Sequence, residues 1–387
     1  MTTKSKASTP RRSATPKTDF RQGLPGQIVL VLQGGGALGA YQVGVYQAMH
    51  EAGIEPQWVI GTSIGAINGA IIAGNPPTAR LEKLTSFWDM VEQQQGTLSF
   101  ASLWPAADAM LAKMDIVSQG VPGFFAPNPN AVWGPHHPAG VENAAMYLTA
   151  PLKKTLSDLI DFDYINTGAV RLTIGAVRVA TGEMRYFDNR ETTVSVDHIM
   201  ASGALPPGFP AVRIDGAAYW DGGLYSNTPI EAVLEDNPRR DSLIFTVDVW
   251  HPQGPEPETI WQVIERQKDI TYASRANSHI ARQGQIHRLR HIIHELAQRL
   301  PAADRKSAAA RELAAWGCTT RMHVVRLTAP RLAGEDHTKD IDFTATGISA
   351  RREAGYADTQ RMLAAAPWTR ATDALTGVVV HDLPEGN

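Results

Sequence analysis

Gly61-Thr62-Ser63-Ile64-Gly65 has the G-x-S-x-G spacing in which a serine hydroxyl becomes a nucleophile. The flanking Gly61 and Gly65 carry no side chains to clash in a tight strand-to-helix turn, so the hydroxyl stands exposed at its tip. Gly34-Gly35-Gly36, with Gly39 close behind, offers bare backbone N–H groups suited to a developing oxyanion. Asp221-Gly222-Gly223 places a carboxylate before two residues that let the backbone fold tightly around it. Together these are the parts of an acyl-transfer site. Each is weak alone: turns of small residues produce G-x-S-x-G by chance, and an aspartate before a turn is more often an Asx cap than a base.

The elements around the first two motifs strengthen them. Residues 28–33 form a short apolar run, too short for a helix, that breaks at the three glycines. Residues 37–52 carry Leu38, Tyr41, Val45, Ala48 and Met49 at helical spacing and end at Gly53. Trp58-Val59-Ile60 reads as a second buried strand, and residues 66–73 as a second helix. Two strands joined by such a helix lie parallel through a right-handed crossover. Both glycine turns then leave the same carboxyl edge, where open α/β sheets place their ligands. The amides of the first turn come to lie beside Ser63.

A competing reading takes Gly34, Gly36 and Gly39 as the G-x-G-x-x-G of a dinucleotide-binding loop. That site needs an acid about 20 residues on, at the end of the next strand, to hold the ribose. Here that strand ends in Gly-Thr-Ser, and Glu51 and Glu55 both precede it. A P-loop is excluded because no Gly-Lys-Ser/Thr follows. The donor-loop reading fits better, with the dinucleotide site kept as the alternative.

The 387 residues allow one large α/β domain with an extension, or two domains. A hydrophobic content of 43% and charged content of 19% describe a globular chain with an ample core. The net charge of -3 argues against a nucleic-acid binder. The single cysteine, Cys318, excludes an internal disulfide and suits a reducing, cytoplasmic setting. No Cys/His clustering suggests a metal site, and no run has the length of a membrane-spanning helix. Residues 1–24, rich in Ser, Thr, Pro, Lys and Arg, read as a disordered basic tail; it is either simply solvated or drawn to anionic lipid.

Residues 76–140 are irregular and rich in Pro, Gly and aromatics, among them Phe87, Trp88, Trp104-Pro105, Phe124-Phe125 and Trp133. They read equally as a wall around an acyl-chain pocket and as packing of the insertion on the core. His136 and His137 there read as surface residues. A helix is expected over 151–159, a hairpin over 171–187, a short helix over 196–202 and a second hairpin over 211–220. Asp215-Gly216 makes the turn of that second hairpin, which leads into Asp221. Residues 243–250 read as a further core strand. Residues 260–300 read as largely helical, with an apolar stripe of Ile286, Leu289, Ile293, Leu296 and Leu300. The plain expectation packs that stripe on the core; the alternative lays this basic, amphipathic helix on an anionic membrane surface. Further helix over 301–321, a strand over 322–329 and a helix over 349–366 complete the chain.

In order, residues 34–39, residues 61–65 and Asp221-Gly222-Gly223 resemble the three motifs of the patatin-like phospholipases, lipid acyl hydrolases with a Ser–Asp dyad. The resemblance runs from about residue 28 to about residue 235. It implies Ser63 as nucleophile, Asp221 as base, and an oxyanion hole at Gly34, Gly35, Gly36 and Gly39. It implies an α/β fold, a three-layer α/β/α domain over residues 25–250 with a mostly parallel central sheet. Residues 251–387 would be a mainly helical extension packed on it. The substrate would be an acyl ester of phospholipase A or lysophospholipase type, with no cofactor and no metal. Leu38 departs from the pattern, since family members often carry Arg or Lys there. An aspartate with its ordinary pKa of about 3.9 is a feeble base, and burial beside an acyl pocket strengthens it. A Ser–Asp–His triad using His251, His279 or His287 is the rival chemistry. A catalytically weak lipid-binding module on the same fold is the rival function.

Overall fold

The computed structural model of the protein describes residues 23–92, 118–273 and 275–383. Most of the expected basic tail and Trp104-Pro105 lie outside the described residues. The apolar run at the start becomes strand β1 (Gln27–Leu32), and the strand after the first helix becomes β2 (Trp58–Thr62). They pair in parallel, Val31 opposite Ile60 and Leu32 opposite Gly61, as the crossover argument requires. A two-stranded ribbon follows, β3 (Ala126–Pro127) with β4 (Tyr147–Leu148). The main sheet continues through β5 (Arg171–Arg178), β6 (Met184–Asp188), β7 (Val212–Ile214), β8 (Ala217–Asp221), β9 (Ser242–Asp248), β10 (Met322–Thr328) and β11 (Val378–Asp382).

Its order is β11-β10-β9-β1-β2-β5-β8-β7, with β6 also paired to β5. Strands β11 through β5 are parallel, and β6, β7 and β8 join antiparallel. The hairpin turn Asp215-Gly216 has positive φ at both residues, 47° and 79°, the geometry that matches strand twist.

Helices that frame the site and the sheet are α1 (Ala40–Glu51), α2 (Ile64–Ala73), α3 (Pro77–Val91), α4 (Val196–Ser202), α5 (Glu231–Leu234), α6 (Ile260–Ala273), α7 (Ala276–Arg299) and α8 (Ala345–Ala365); among further helices, Ala150–Leu159 covers the one expected at 151–159. Strand residues alternate between two apolar layers. Leu30, Leu32, Phe245 and Val325 face the cluster that holds α1, α2, α3 and α8. Val29, Val31, Ile244 and Val324 face the cluster holding α5 and Ile280 of α7. The fold is a three-layer α/β/α sandwich. The chain after residue 250 enters the same sheet: β10 pairs with β9, and β11, a strand not expected from the sequence, pairs with β10. Helix α8 lies on α1, where Tyr41 donates its hydroxyl to Asp358 at 2.8 Å.

Helix α7 corrects the expectation for its inner face. Its buried residues are Ile280, Gln283, His287 and His291, while Leu289 and Leu296 are each 60% exposed. Each inner polar side chain finds at least one partner, although His287 Nδ1 has none. Gln283 donates to Glu235 at 2.6 Å, His287 meets the Leu234 carbonyl at 3.4 Å, and His291 meets the carbonyls of Ala374 and Thr320 at 3.1 and 2.9 Å. Such bonding offsets most of the cost of burying a polar face, so hydrophobicity alone pointed to the wrong side of the helix.

Candidate active site

Strand β2 ends at Thr62 and α2 starts at Ile64, so the whole change of direction falls on Ser63. Its backbone takes φ 56° and ψ −128°, a strained conformation that costs on the order of 1–3 kcal/mol and concentrates at functional sites. The turn is possible because Gly65 lies directly against the Leu32 carbonyl of β1, where any Cβ would collide. The Ser63 N–H donates to the Ser202 hydroxyl at 3.0 Å, and Ser202 donates to the Gly175 carbonyl of β5 at 2.7 Å. The elbow is thus tied to the neighbouring strand.

The register of β5 brings the carboxylate to the elbow. Thr62 of β2 pairs with Gly175, and the next residue, Ala176, pairs with Asp221 of β8. Strand β6 holds Ala176 from the other edge, so β2 and β8 meet nose to nose along one edge of β5. Ser63 leaves the sheet where Asp221 arrives. The Asp221 carboxyl accepts the Gly223 N–H at 2.7 Å and lies near enough to the Ser63 hydroxyl for that group to act on its pKa. Burial pushes its pKa up to about 7, against the opposing pull of the Ser63 hydroxyl and the Gly223 amide. The two readings of this aspartate therefore coexist: it caps its own turn and faces the serine.

The glycine loop lies against the nucleophile, since a Cβ added to Gly34 would sit 2.9 Å from that of Ser63. Its four glycines differ in what they offer. The Gly34 N–H already donates to the Asn227 carbonyl at 3.1 Å, so it is not a free donor. Gly39 ends the short turn Gly36–Gly39 and packs on Ile64, outside the cavity wall. Gly35 and Gly36 line the cavity, and their N–H groups have no protein acceptor among the described residues. The motif spacing marked all four alike; bonding to a distant loop separates them. Gly222 and Gly223 follow the carboxylate in a short turn, Gly222–Leu224.

These groups open into a cavity of about 360 Å³. Phe124, Phe125, Leu152, Met200, Phe209 and Phe343 supply much of its wall. The rings form a cluster, Phe125 to Phe209 at 5.3 Å and Phe124 to Phe343 at 5.7 Å between centroids. Phe124 and Phe125 of the insertion are thus both packing and pocket wall, whereas Trp133 is 71% exposed. His136 and His137 lie on the surface. Leu38 is buried beside Tyr41 and Val249 rather than facing this cavity. A cation reaches the cavity from elsewhere: Lys268 of α6, which donates to Asp340 at 2.7 Å.

Among the described residues no histidine lines the cavity. His251 lies by Leu38, where burial pushes its pKa down to about 4. His279 meets Glu231 at 3.2 Å, and His287 is turned to the Leu234 carbonyl. The triad rival has no member at Asp221. Sequence reasoning missed Ser202, Asn227, Trp250 and Lys268. Only Asn227 carried a cue, its place just after Asp221-Gly222-Gly223. Among the described residues no group of three or more His, Cys, Asp or Glu side chains is placed to hold a metal, and no helix is long and apolar enough to cross a membrane.

The sequence pattern described as Patatin-like phospholipase matches residues 30–234. A second, DUF3734, described as Patatin phospholipase, matches residues 270–375. Over 44 residues, 11% of this chain and 3% of the relative, the chain is 61% identical to Lysophospholipase nte1 of Aspergillus terreus. Over 61 residues, 16% of this chain and 4% of the relative, it is 43% identical to Patatin-like phospholipase domain-containing protein 6 of Mus musculus. The matched stretches are thus a small part of those relatives. Among solved structures, VipD from Legionella pneumophila aligns over 88% of this chain and 67% of its own, with 16% identity and a TM-score of 0.37. Human GIVD cytosolic phospholipase A2 aligns over 78% and 39%, with 10% identity and a TM-score of 0.25.

Proposed function

Because the chain belongs to the patatin-like phospholipase family, we propose that it hydrolyses acyl esters of phospholipids or lysophospholipids through a Ser63–Asp221 dyad. The observation that carries this reading is that the buried Asp221 carboxyl, its pKa raised, and Ser63 line the same aromatic, apolar cavity. Asp221 takes the hydroxyl proton as the Ser63 oxygen attacks the ester carbonyl carbon. The carbonyl oxygen becomes an oxyanion facing the Gly35 and Gly36 N–H groups and the amino end of α2. Collapse breaks the bond to the leaving oxygen, which takes the proton from Asp221 and departs as a lysolipid or alcohol. Water then attacks the acyl-enzyme while Asp221 again takes a proton, and the fatty acid leaves as Ser63 is restored. The acyl chain occupies the cavity among Phe124, Phe125, Leu152 and Phe209.

A fluorophosphonate probe tests the assignment. Mass spectrometry of the labelled protein is expected to place the phosphonyl group on Ser63, and Ser63→Ala to remove both labelling and turnover of a lysophospholipid. Labelling elsewhere, or hydrolysis that survives Ser63→Ala, would overturn it.

A further inference from the structure

We propose that Asn227 and Trp250 are positioning residues of the oxyanion site: they hold the Gly34–Gly35 peptide so that the Gly35 N–H faces the carbonyl under attack. The proposal rests on the serine-hydrolase reading above.

The Gly34 carbonyl accepts two side-chain hydrogen bonds, from Asn227 Nδ2 at 3.0 Å and from Trp250 Nε1 at 2.8 Å. Two donors occupy both lone pairs of that oxygen. In a planar trans peptide the C=O and the following N–H point in opposite directions. Fixing the Gly34 oxygen on the protein side therefore turns the Gly35 N–H toward the Ser63 side. The same bonds polarise the peptide and make its N–H a stronger donor.

The preceding peptide is clamped as well. The Gly34 N–H donates to the Asn227 carbonyl at 3.1 Å, and the Gln33 carbonyl accepts from Gln42 Nε2 at 2.7 Å. Asn227 thus grips Gly34 from both its backbone and its side chain. Trp250 is held in turn: Gln33 Oε1 accepts its backbone N–H at 2.9 Å, Gln33 Nε2 donates to Thr228 at 2.8 Å, and Tyr272 packs with its ring centroid 5.0 Å from that of the indole.

A run of three glycines needs such clamps. With no side chains to restrict it, the loop rotates its peptides readily, and Gly36 already sits at φ 56°. If the Gly34–Gly35 peptide turned over, it would present a carbonyl oxygen to the oxyanion in place of a donor. Asn227 and Trp250 line the cavity beside Ser63, and both act through the orientation of one peptide.

Trp250→Phe keeps an aromatic ring and removes one donor; Asn227→Ala removes the other, and each is read only after circular dichroism shows native secondary structure. With a p-nitrophenyl ester, kcat is expected to fall about ten- to a hundredfold while KM stays within about twofold. Affinity for an alkyl trifluoromethyl ketone, which forms an oxyanion-bearing adduct on the serine, should fall by the same factor. Affinity for the matching methyl ketone, which forms little adduct, should hold. Unchanged kcat and unchanged trifluoromethyl ketone affinity in a folded variant would overturn the proposal. Equal weakening of both ketones would overturn it too, by marking a merely structural role. A wild-type protein inert to ester and fluorophosphonate alike would overturn the underlying serine reading instead, and that outcome is distinguishable because it appears before any substitution is made.

Discussion

At the scale of single residues, the proposed chemistry turns on how far burial shifts one carboxyl. Asp221 rises from the ordinary 3.8 to about 7, so near neutral pH it is poised between its acid and base forms. A base acts only when deprotonated, so kcat/KM is expected to fall about tenfold per unit as pH drops below about 7 and to level off above it. A pH–rate profile with its midpoint near 4 would contradict this. Stability must move the other way. The folded state holds this proton more tightly than the unfolded chain, so the contribution of Asp221 is complete below 3.8 and is lost as pH rises through about 7. Asp221→Asn is therefore expected to be more stable than wild type at pH 8, by on the order of 2–4 kcal/mol, with no difference below about pH 4. Urea melts of the two proteins at both pH values measure it. Ser63 and Asp221 stood out as candidates because each lies in a short local pattern of glycines. Ser202 and Trp250 were not: a serine closing a helix and a tryptophan after a strand have many structural uses. Their bonds, to the Ser63 amide and the Gly34 carbonyl, are made only once distant strands meet.

At the scale of elements, the elbow is a packing problem solved by a missing side chain. Gly65 opens α2 directly against the Leu32 carbonyl, which is how β1 and the helix come close enough to set Ser63 beside the glycine loop. Gly65→Ala forces β1 and α2 apart. It is expected to cost about 2–3 kcal/mol and to reduce esterase activity at least a hundredfold, even where the protein stays folded. Wild-type activity in a folded Gly65→Ala protein would show that the turn tolerates a shift. The parallel β1–α1–β2 unit was legible because a buried strand, a turn and a helix differ in period and in glycine content. Helix α7 was misread for a physical reason. Its inner face carries Gln283, His287 and His291, whose burial depends on acceptors such as Glu235 and the Leu234 carbonyl that no local pattern announces. Strand β11 was missed because Val378–Asp382 is short and ends in His381 and Asp382, which a periodicity argument reads as loop.

At the scale of the molecule, the residues before 250 carry the motifs, but the site is not complete without those after it. Lys268, Tyr272, Asp340 and Phe343 line the same cavity as Ser63. The Tyr272 carbonyl accepts from both Gln33 and Asn227 at 3.2 Å, which ties α6 to the glycine loop. Behind it, Lys339 and Asp269 form a fully buried ion pair at 2.9 Å, and Lys339 also lies 5.6 Å from the Trp250 ring centroid. Each charge has a second partner, Arg331 for Asp269 at 3.0 Å and Glu265 for Lys339 at 3.4 Å, so the pair belongs to a network. Truncation after residue 250 removes both charges together with β10 and β11, so the loss is of sheet and cavity wall rather than of one charge. It bares the edge of β9, a strand buried along its whole length, and an open apolar edge pairs with other chains. A chain of residues 23–250 is accordingly expected to aggregate on expression and, if refolded, to leave a fluorophosphonate probe unreacted at Ser63. A soluble, labelled fragment would mean that β10, β11 and α8 only brace a domain already complete. The loss of labelling is the sharper outcome, because the loop that faces Ser63 takes part of its support from a carbonyl supplied by α6.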